Sequence, residues 1–283
     1  MAQIIFNIDE NRKMIKDQIK KYYASGIEAN RLNIEEFRLE GIRTKEIIER
    51  YIKKDRLEIL DIGGGAGFYS FWLQEKGHEV TLIDLSPDNI NLVKKNIETS
   101  GIKLKNYDTG DAVDLRFSDD LFDMILFMGP LYHLTERVDR VNALREARRV
   151  LKTGGVLIAA VISRYASLID GLQRDLIVDD QFFSILLNDL RTGTHLNGTD
   201  NLEYFTSSHF HTPEEIVAEI EESGLIFEKL IPVESFGWMV RNFSEKEKDI
   251  GFIKKLFETI NLLEANEDLL PISPHIIAVA RKE

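Results

Sequence analysis

The sequence predicts an α/β fold, a mostly parallel sheet with helices on both faces, and three observations predict it. From Leu57 onward, short apolar runs rich in Ile, Leu and Val alternate with stretches of helical periodicity. Such alternation is what crossover helices between parallel strands require. A cluster of glycines, Gly63 to Gly67, stands where the first run gives way to the first helix. Seven runs in all have strand character, enough for one full sheet.

The strand candidates are 57–62, 79–85, 102–108, 122–128 and 155–163, and two later runs, 225–234 and 275–282, complete the sheet. Helical patterns fall at 67–76, 87–99 and 136–151. Upstream, Met14, Ile15, Ile19, Tyr22 and Tyr23 space an amphipathic helix over 10–24, with Gly26 as its stop. A second helical pattern covers 28–52, with Gly41 as its weak point. Two stretches interrupt the alternation: 164–210, and 236–272 with a helical pattern at 245–263. The sheet needs neither, so each is a candidate substrate-binding addition.

The chain has 283 residues, 43% hydrophobic, enough for one core with insertions. Its net charge of −12 repels phosphate backbones, and no basic block is strong enough to overcome that field. Arg145, Arg148 and Arg149 read as a solvated helix face. With no cysteine, disulfides, thiolate metal sites and a cysteine nucleophile are excluded. Met1 to Glu10 lacks the pattern of a secretory signal, and the longest apolar run, Val156 to Ile162, is too short to span a bilayer. The expectation is a cytoplasmic protein.

Asp61-Ile62-Gly63-Gly64-Gly65-Ala66-Gly67 forms the strand-to-helix turn. Glycines there let a backbone approach a ligand closely. Dinucleotide, phosphate and S-adenosylmethionine (SAM) sites all use such a turn. The dinucleotide spacing would put its third small residue at Phe68, which is bulky, and Asp61 is an awkward neighbour for a pyrophosphate but suits an ammonium group. Asp84 ends the second strand, 21 positions beyond Gly63, where an acidic residue can accept from both hydroxyls of a ribose. Ser86 before Pro87 is a good helix cap.

In this order and spacing, DIGGGAGFYSFWL, VTLIDLSPDNI, GDAVDL and FDMILFMGPLYHL resemble the successive motifs of class I SAM-dependent methyltransferases. The resemblance covers residues 20–163. It implies a Rossmann-like sheet of seven strands with the last antiparallel, SAM as methyl donor and S-adenosylhomocysteine (SAH) as product. It further implies that Gly63 and Gly65 hold the methionyl end, Asp84 the ribose, Leu85 the adenine face, and Asp111 with the Ala112 amide the adenine edge. Met128 would line the site near the methyl group, and His133 would sit near SAM. Asp111 also suits a plain turn. YYASGIEANRL (22–32) resembles the segment that covers SAM, with Arg31 placed for its carboxylate; a surface pair with Glu28 is the alternative. The implied organisation is a helical cover, 1–56; a SAM-binding core, 57–163; an acceptor cap, 164–210; and the rest of the core, 211–283, carrying the insertion 236–272.

Methyl transfer from a sulfonium is an in-line displacement, in which the protein supplies alignment and desolvation. A base is needed only when the acceptor must lose a proton. The candidates are Tyr132, His133 and His211, with His209 beside the last. No third ligand at motif spacing supports a metal on His209 and His211, so no metal is expected. Methyltransferases of nucleobase amines carry an Asn/Asp-Pro-Pro-aromatic tetrad after the fourth strand. Here Met128-Gly129-Pro130-Leu131 stands there, which with the acidic charge argues against a nucleic-acid substrate. Phe183, Trp238 and the other aromatics of the two insertions suit a small, apolar acceptor. The expected activity is methylation of a small molecule, with no membrane partner. A protein or peptide methyltransferase and a non-catalytic SAM- or SAH-binding protein are the alternatives.

Overall fold

The structure is a computed structural model that describes residues 37–199 and 201–283, together with Ile15, Gln18, Ile19, Tyr22 and Leu32. Seven strands form one sheet: β1 (Glu58–Ile62), β2 (Glu79–Asp84), β3 (Asn106–Thr109), β4 (Phe122–Phe127), β5 (Leu151–Ile162), β8 (Ile226–Pro232) and β9 (His275–Arg281). Their order is β3-β2-β1-β4-β5-β9-β8. A separate two-stranded piece is made by β6 (Thr194–His195) and β7 (Ser208–His209). The first five strands run parallel, and β9 is antiparallel to both its neighbours. The start of β9 and the end of β8 therefore share the edge where β1, β2, β4 and β5 finish.

Period-two alternation sends successive side chains to opposite faces, and two cores result. Leu60, Ile62, Ile125, Phe127, Leu157 and Ala159 pack under helices Arg137–Val150 and Pro213–Glu222. Ile59, Val80, Leu82, Met124, Leu126 and Ile158 pack under helices Arg38–Tyr51, Phe68–Glu75 and Pro87–Ser100. Both faces are buried, which is why these strands read as nearly continuous apolar runs.

Several boundaries differ from expectation. β3 begins four residues later than its apolar run, because only Asn106–Thr109 pairs with β2. β5 starts at Leu151, four residues early, because Leu151 pairs with Phe122 before a shift in register. Gly41 is no weak point. It lies inside helix Arg38–Tyr51, and an added Cβ would come within 3.1 Å of the Phe68 ring, so close helix approach explains it. The pattern at 245–263 divides into a turn, Phe243–Lys246, and a helix, Ile250–Leu263, whose first amides are capped by Asp249. Ser86 precedes helix Pro87–Ser100, but its side chain caps nothing; its hydroxyl is buried with no partner among the described residues. Of the 10–24 pattern, Ile15, Gln18, Ile19 and Tyr22 are described; all are helical, and the three apolar ones are buried.

The two insertions do different things. Segment 164–210 builds helices Ala166–Gln173 and Asp180–Thr192 around its own small core of Phe182, Ile185, Leu186 and Tyr204. Segment 236–272, expected to line an acceptor pocket, is anchored on helix Arg38–Tyr51 instead. Glu264 pairs with Arg43 and Arg50, and Arg50 also reaches Asn261. A bond from Gln173 Nε2 to the Trp238 carbonyl, 3.0 Å, ties the insertions together.

Candidate active site

The glycine turn takes its shape from two requirements. Gly63 and Gly65 have φ of +71° and +57°, the left-handed region that costs an L-residue energy. An added Cβ on Gly63 would also fall 2.7 Å from the Pro130 ring, whereas one on Gly65 would meet nothing within 4 Å among the described residues. Gly63 is thus closed in by the loop after β4, while among the described residues Gly65 borders open space in which a ligand can lie. The Gly63 and Gly64 amides both donate to the Ile83 carbonyl, at 2.8 and 3.2 Å, fixing the turn to the end of β2.

Asp61, at the carboxyl end of β1, has no exposed surface. Oδ2 accepts from the Ser70 hydroxyl at 2.7 Å, and Oδ1 has no partner among the described residues. Burial, opposed by the Ser70 bond and reinforced by the Asp84 charge, pushes its pKa up to about 7. An orphaned, buried carboxylate oxygen beside an open glycine fits a ligand carrying a positive group.

Asp84 is also buried, and burial raises its pKa. Its Oδ1 accepts from the Ser86 amide (2.8 Å) and Asn89 Nδ2 (3.0 Å), and Oδ2 from the Gly65 amide (2.9 Å). With about two lone pairs on each oxygen, one acceptor position remains, on Oδ2. A carboxylate accepting from both hydroxyls of a ribose needs more than that, so the protein itself uses much of the capacity that the sequence suggested for the sugar. Leu85 follows at the end of β2, half-buried, and Ala112 is buried. Asp111 closes a turn: its carbonyl accepts from the Asp114 amide (3.1 Å) and its Oδ1 from the Val113 amide (3.3 Å).

After β4, Met128 is half-buried against the core. Tyr132 cannot serve readily as a base, because its hydroxyl is buried and donates to the Met128 carbonyl at 3.0 Å. His133 sits in an aromatic group, its ring 4.7 Å from Tyr132 and 5.8 Å from Phe205. Burial pushes its pKa down to about 3, against a weaker upward effect of a hydrogen bond with the Ser207 backbone. It therefore stays neutral throughout the physiological range. Phe205 also meets Tyr22 at 5.5 Å, and Gln18 accepts from the Ser207 hydroxyl at 3.1 Å. The N-terminal helix, the loop after β4 and segment 164–210 thus converge on Phe205, whose φ of +67° is strained for a non-glycine residue.

His211 is where the structure departs most from expectation. It is fully buried, with Nε2 3.3 Å from Glu219 Oε2, and Glu219 is gripped by Arg140 through bonds of 2.8 to 3.1 Å. Burial lowers the His211 pKa, partly offset by Glu219. The Arg140–Glu219 pair ties helix Pro213–Glu222 to helix Arg137–Val150 inside the fold, and the imidazole that joins it presents no open face to an acceptor. His209 meets it edge-on, 4.6 Å between centroids, and burial pushes His209 down to about 2. Phe183 is partly exposed on the cap, and Trp238 Nε1 donates to the Ile272 carbonyl at 3.0 Å. Arg31 lies outside the described residues.

Residues 60–159, the stretch holding this turn and its flanking strands, match the family model of a methyltransferase domain. Over that stretch the chain carries a methyltransferase domain. The fold agrees. A SAM-dependent methyltransferase of Methanosarcina mazei superposes with a TM-score of 0.57 at 22% identity, covering 83% of this chain and 96% of that one. A SAM-dependent methyltransferase of Thermotoga maritima, described as a possible histamine N-methyltransferase, gives 0.55 at 14% identity over 93% and 98%. Among curated relatives, a ubiquinone biosynthesis O-methyltransferase of Ruegeria sp. is 30% identical over 173 residues, 60% of each protein. A chloroplastic 2-methyl-6-phytyl-1,4-hydroquinone methyltransferase of Oryza sativa subsp. japonica is 34% identical over 102 residues, 35% of this chain and 29% of that protein. The matched region therefore spans from under a third to three fifths of these relatives. The cofactor of such a domain is SAM, and the orphaned Asp61 oxygen and the side of Gly65 that is open among the described residues fit its methionyl ammonium. Among the described residues no helix is long and apolar enough to cross a membrane.

Sequence reasoning missed two sets of residues. Asn89 completes the Asp84 carboxylate and could have been sought as the third residue of the helix after β2. Glu40, Glu234 and His275 come together from opposite ends of the chain, and no motif spacing signals them.

Proposed function

We propose that this methyltransferase moves the methyl group of SAM to a small, largely apolar acceptor held under segment 164–210. The observation that carries this reading is the pairing of a left-handed glycine turn, open at Gly65, with the buried, half-satisfied Asp61 at the carboxyl edge of the sheet. A cofactor held there would lie beside the loop after β4, whose Pro130 abuts Gly63. SAM when bound supplies the electrophilic methyl group. The chain supplies position, through the turn and Asp84, and exclusion of water, through the convergence on Phe205. Tyr132 gives its hydroxyl to the Met128 carbonyl and His211 is fully buried, which favours acceptors that ionise easily or attack without losing a proton first. Phenols and hydroquinones suit the first condition, and two relatives whose names place them in quinone and hydroquinone chemistry support that class. The test is transfer from methyl-labelled SAM to a panel of hydroquinones, catechols and aliphatic amines. Saturable transfer to a phenolic member supports the reading. Tight SAM and SAH binding with no transfer to any member would turn it toward a non-catalytic binding protein, and transfer to peptides alone toward a protein methyltransferase.

A further inference from the structure

Outside the cofactor region, three ionisable side chains from distant parts of the chain converge at the carboxyl edge of the sheet. Glu40 stands in the first turn of helix Arg38–Tyr51, Glu234 lies two residues past β8, and His275 opens β9 opposite Ile162, the last residue of β5. Each offers a ligand atom, and the three atoms lie within 4.8 Å of one another. His275 Nδ1 is 2.6 Å from Glu234 Oε1 and 3.7 Å from Glu40 Oε2. Both glutamates are buried, and His275 is mostly so.

The local structure holds Glu234 firmly in place. Its Oε2 accepts from the Ser273 hydroxyl (2.8 Å) and the His275 amide (3.1 Å), while Ser273 Oγ accepts from the amides of Glu234 and Ser235 (3.0 and 3.1 Å). The adjoining Ser235 hydroxyl is fully buried and has no hydrogen-bond partner among the described residues. A mostly buried imidazole and two buried carboxylates brought this close, one carboxylate held by Ser273 and the His275 amide, point to an occupant.

We propose that Glu40, Glu234 and His275 bind one divalent transition ion, such as Zn²⁺ or Co²⁺, at the carboxyl edge of β8 and β9. Metal–donor bonds of about 2.0–2.2 Å put two donors on one ion roughly 3–3.5 Å apart. The separations of 2.6 and 3.7 Å straddle that range, so small side-chain movements suffice. Charge agrees as well. Two carboxylates balance the two charges of the ion, whereas protonating the imidazole balances only one of them. On binding, any proton on Nδ1 passes to solvent and the nitrogen lone pair joins the ion. An imidazole with two carboxylates suits a borderline ion better than Ca²⁺ or Mg²⁺. Three protein donors also leave a coordination position open, as sites that bind an exchangeable ligand do.

The test uses chelator-treated full-length protein, titrated with Co²⁺ by visible absorption and with Zn²⁺ by calorimetry, and needs no methyl acceptor. One ion per chain is expected, with the absorption of nitrogen–oxygen ligation. Glu40→Gln, Glu234→Gln and His275→Gln should each weaken binding at least about tenfold, and Glu203→Gln, an exposed carboxylate on the cap, should bind as wild type. Melting temperatures of all variants show whether they fold; if Glu234→Gln does not, Glu40→Gln and His275→Gln decide. Absence of saturable binding up to millimolar metal, or binding that the folded variants retain, overturns the proposal.

Discussion

Replacing Asp61 with Asn isolates the energetic cost of the buried carboxylate in the cofactor site. Asp61 has a pKa of about 7 in the fold against an ordinary 3.8. The folded state therefore holds a proton that the unfolded state has released between about pH 4 and 7, and stability falls as pH rises through that window. The full gap of about 3 units corresponds to on the order of 4 kcal/mol, of which the part above pH 5 is roughly 3 kcal/mol. Asn retains an acceptor for the Ser70 hydroxyl but never ionises. Chemical denaturation of both cofactor-free proteins at pH 5 and pH 8 is the assay. Wild type should lose about 3 kcal/mol more than Asp61→Asn between those values. Saturating SAM should shrink the difference, because a methionyl ammonium would give the ionised carboxylate its missing partner. Stability curves that run parallel from pH 5 to pH 8 would refute the argument, and with it the assignment of Asp61 to the charged end of the cofactor.

Two other substitutions test the frame around the site. Gly63→Ala combines left-handed strain with a clash against Pro130, whereas Gly65→Ala has the strain alone; denaturation should show the first to be the more destabilising, with Gly65→Ala near 1–2 kcal/mol, and equal costs would mean that Pro130 yields. Arg140→Met leaves Glu219 buried without its closest guanidinium, and should cost about 3–5 kcal/mol in urea denaturation; a loss below about 1 kcal/mol would show that His211 and the more distant Arg137 can hold that carboxylate.

The order of elements was legible because parallel strands buried on both faces must be apolar throughout, and the helices between them must repeat every three to four residues. Those rules placed β1, β2, β4 and β9 to within two residues. They failed at β5, where Gly154 and Gly155 hid the continuation of the strand back to Leu151, and at β3, an edge strand with little buried surface. Gly63, Gly65, Asp61 and Asp84 were legible as a candidate site because ligand approach to a turn demands glycine and a charged partner at fixed chain distances.

Local chemistry along the chain settled which residue types stand at the mouth of the sheet, and their resemblance to known motifs suggested which cofactor they serve. How many hydrogen bonds each of those residues still has to offer was decided only in three dimensions. Asp84 spends three acceptor positions on Ser86, Asn89 and Gly65; Tyr132 spends its hydroxyl on Met128; His211 spends its Nε2 on Glu219. Glu40, Glu234 and His275 share a site only because an antiparallel β9 returns its first residue to the edge where the parallel strands end. Spacing in sequence reports what a segment can present, but burial and competition for each donor and acceptor are properties of the packed whole.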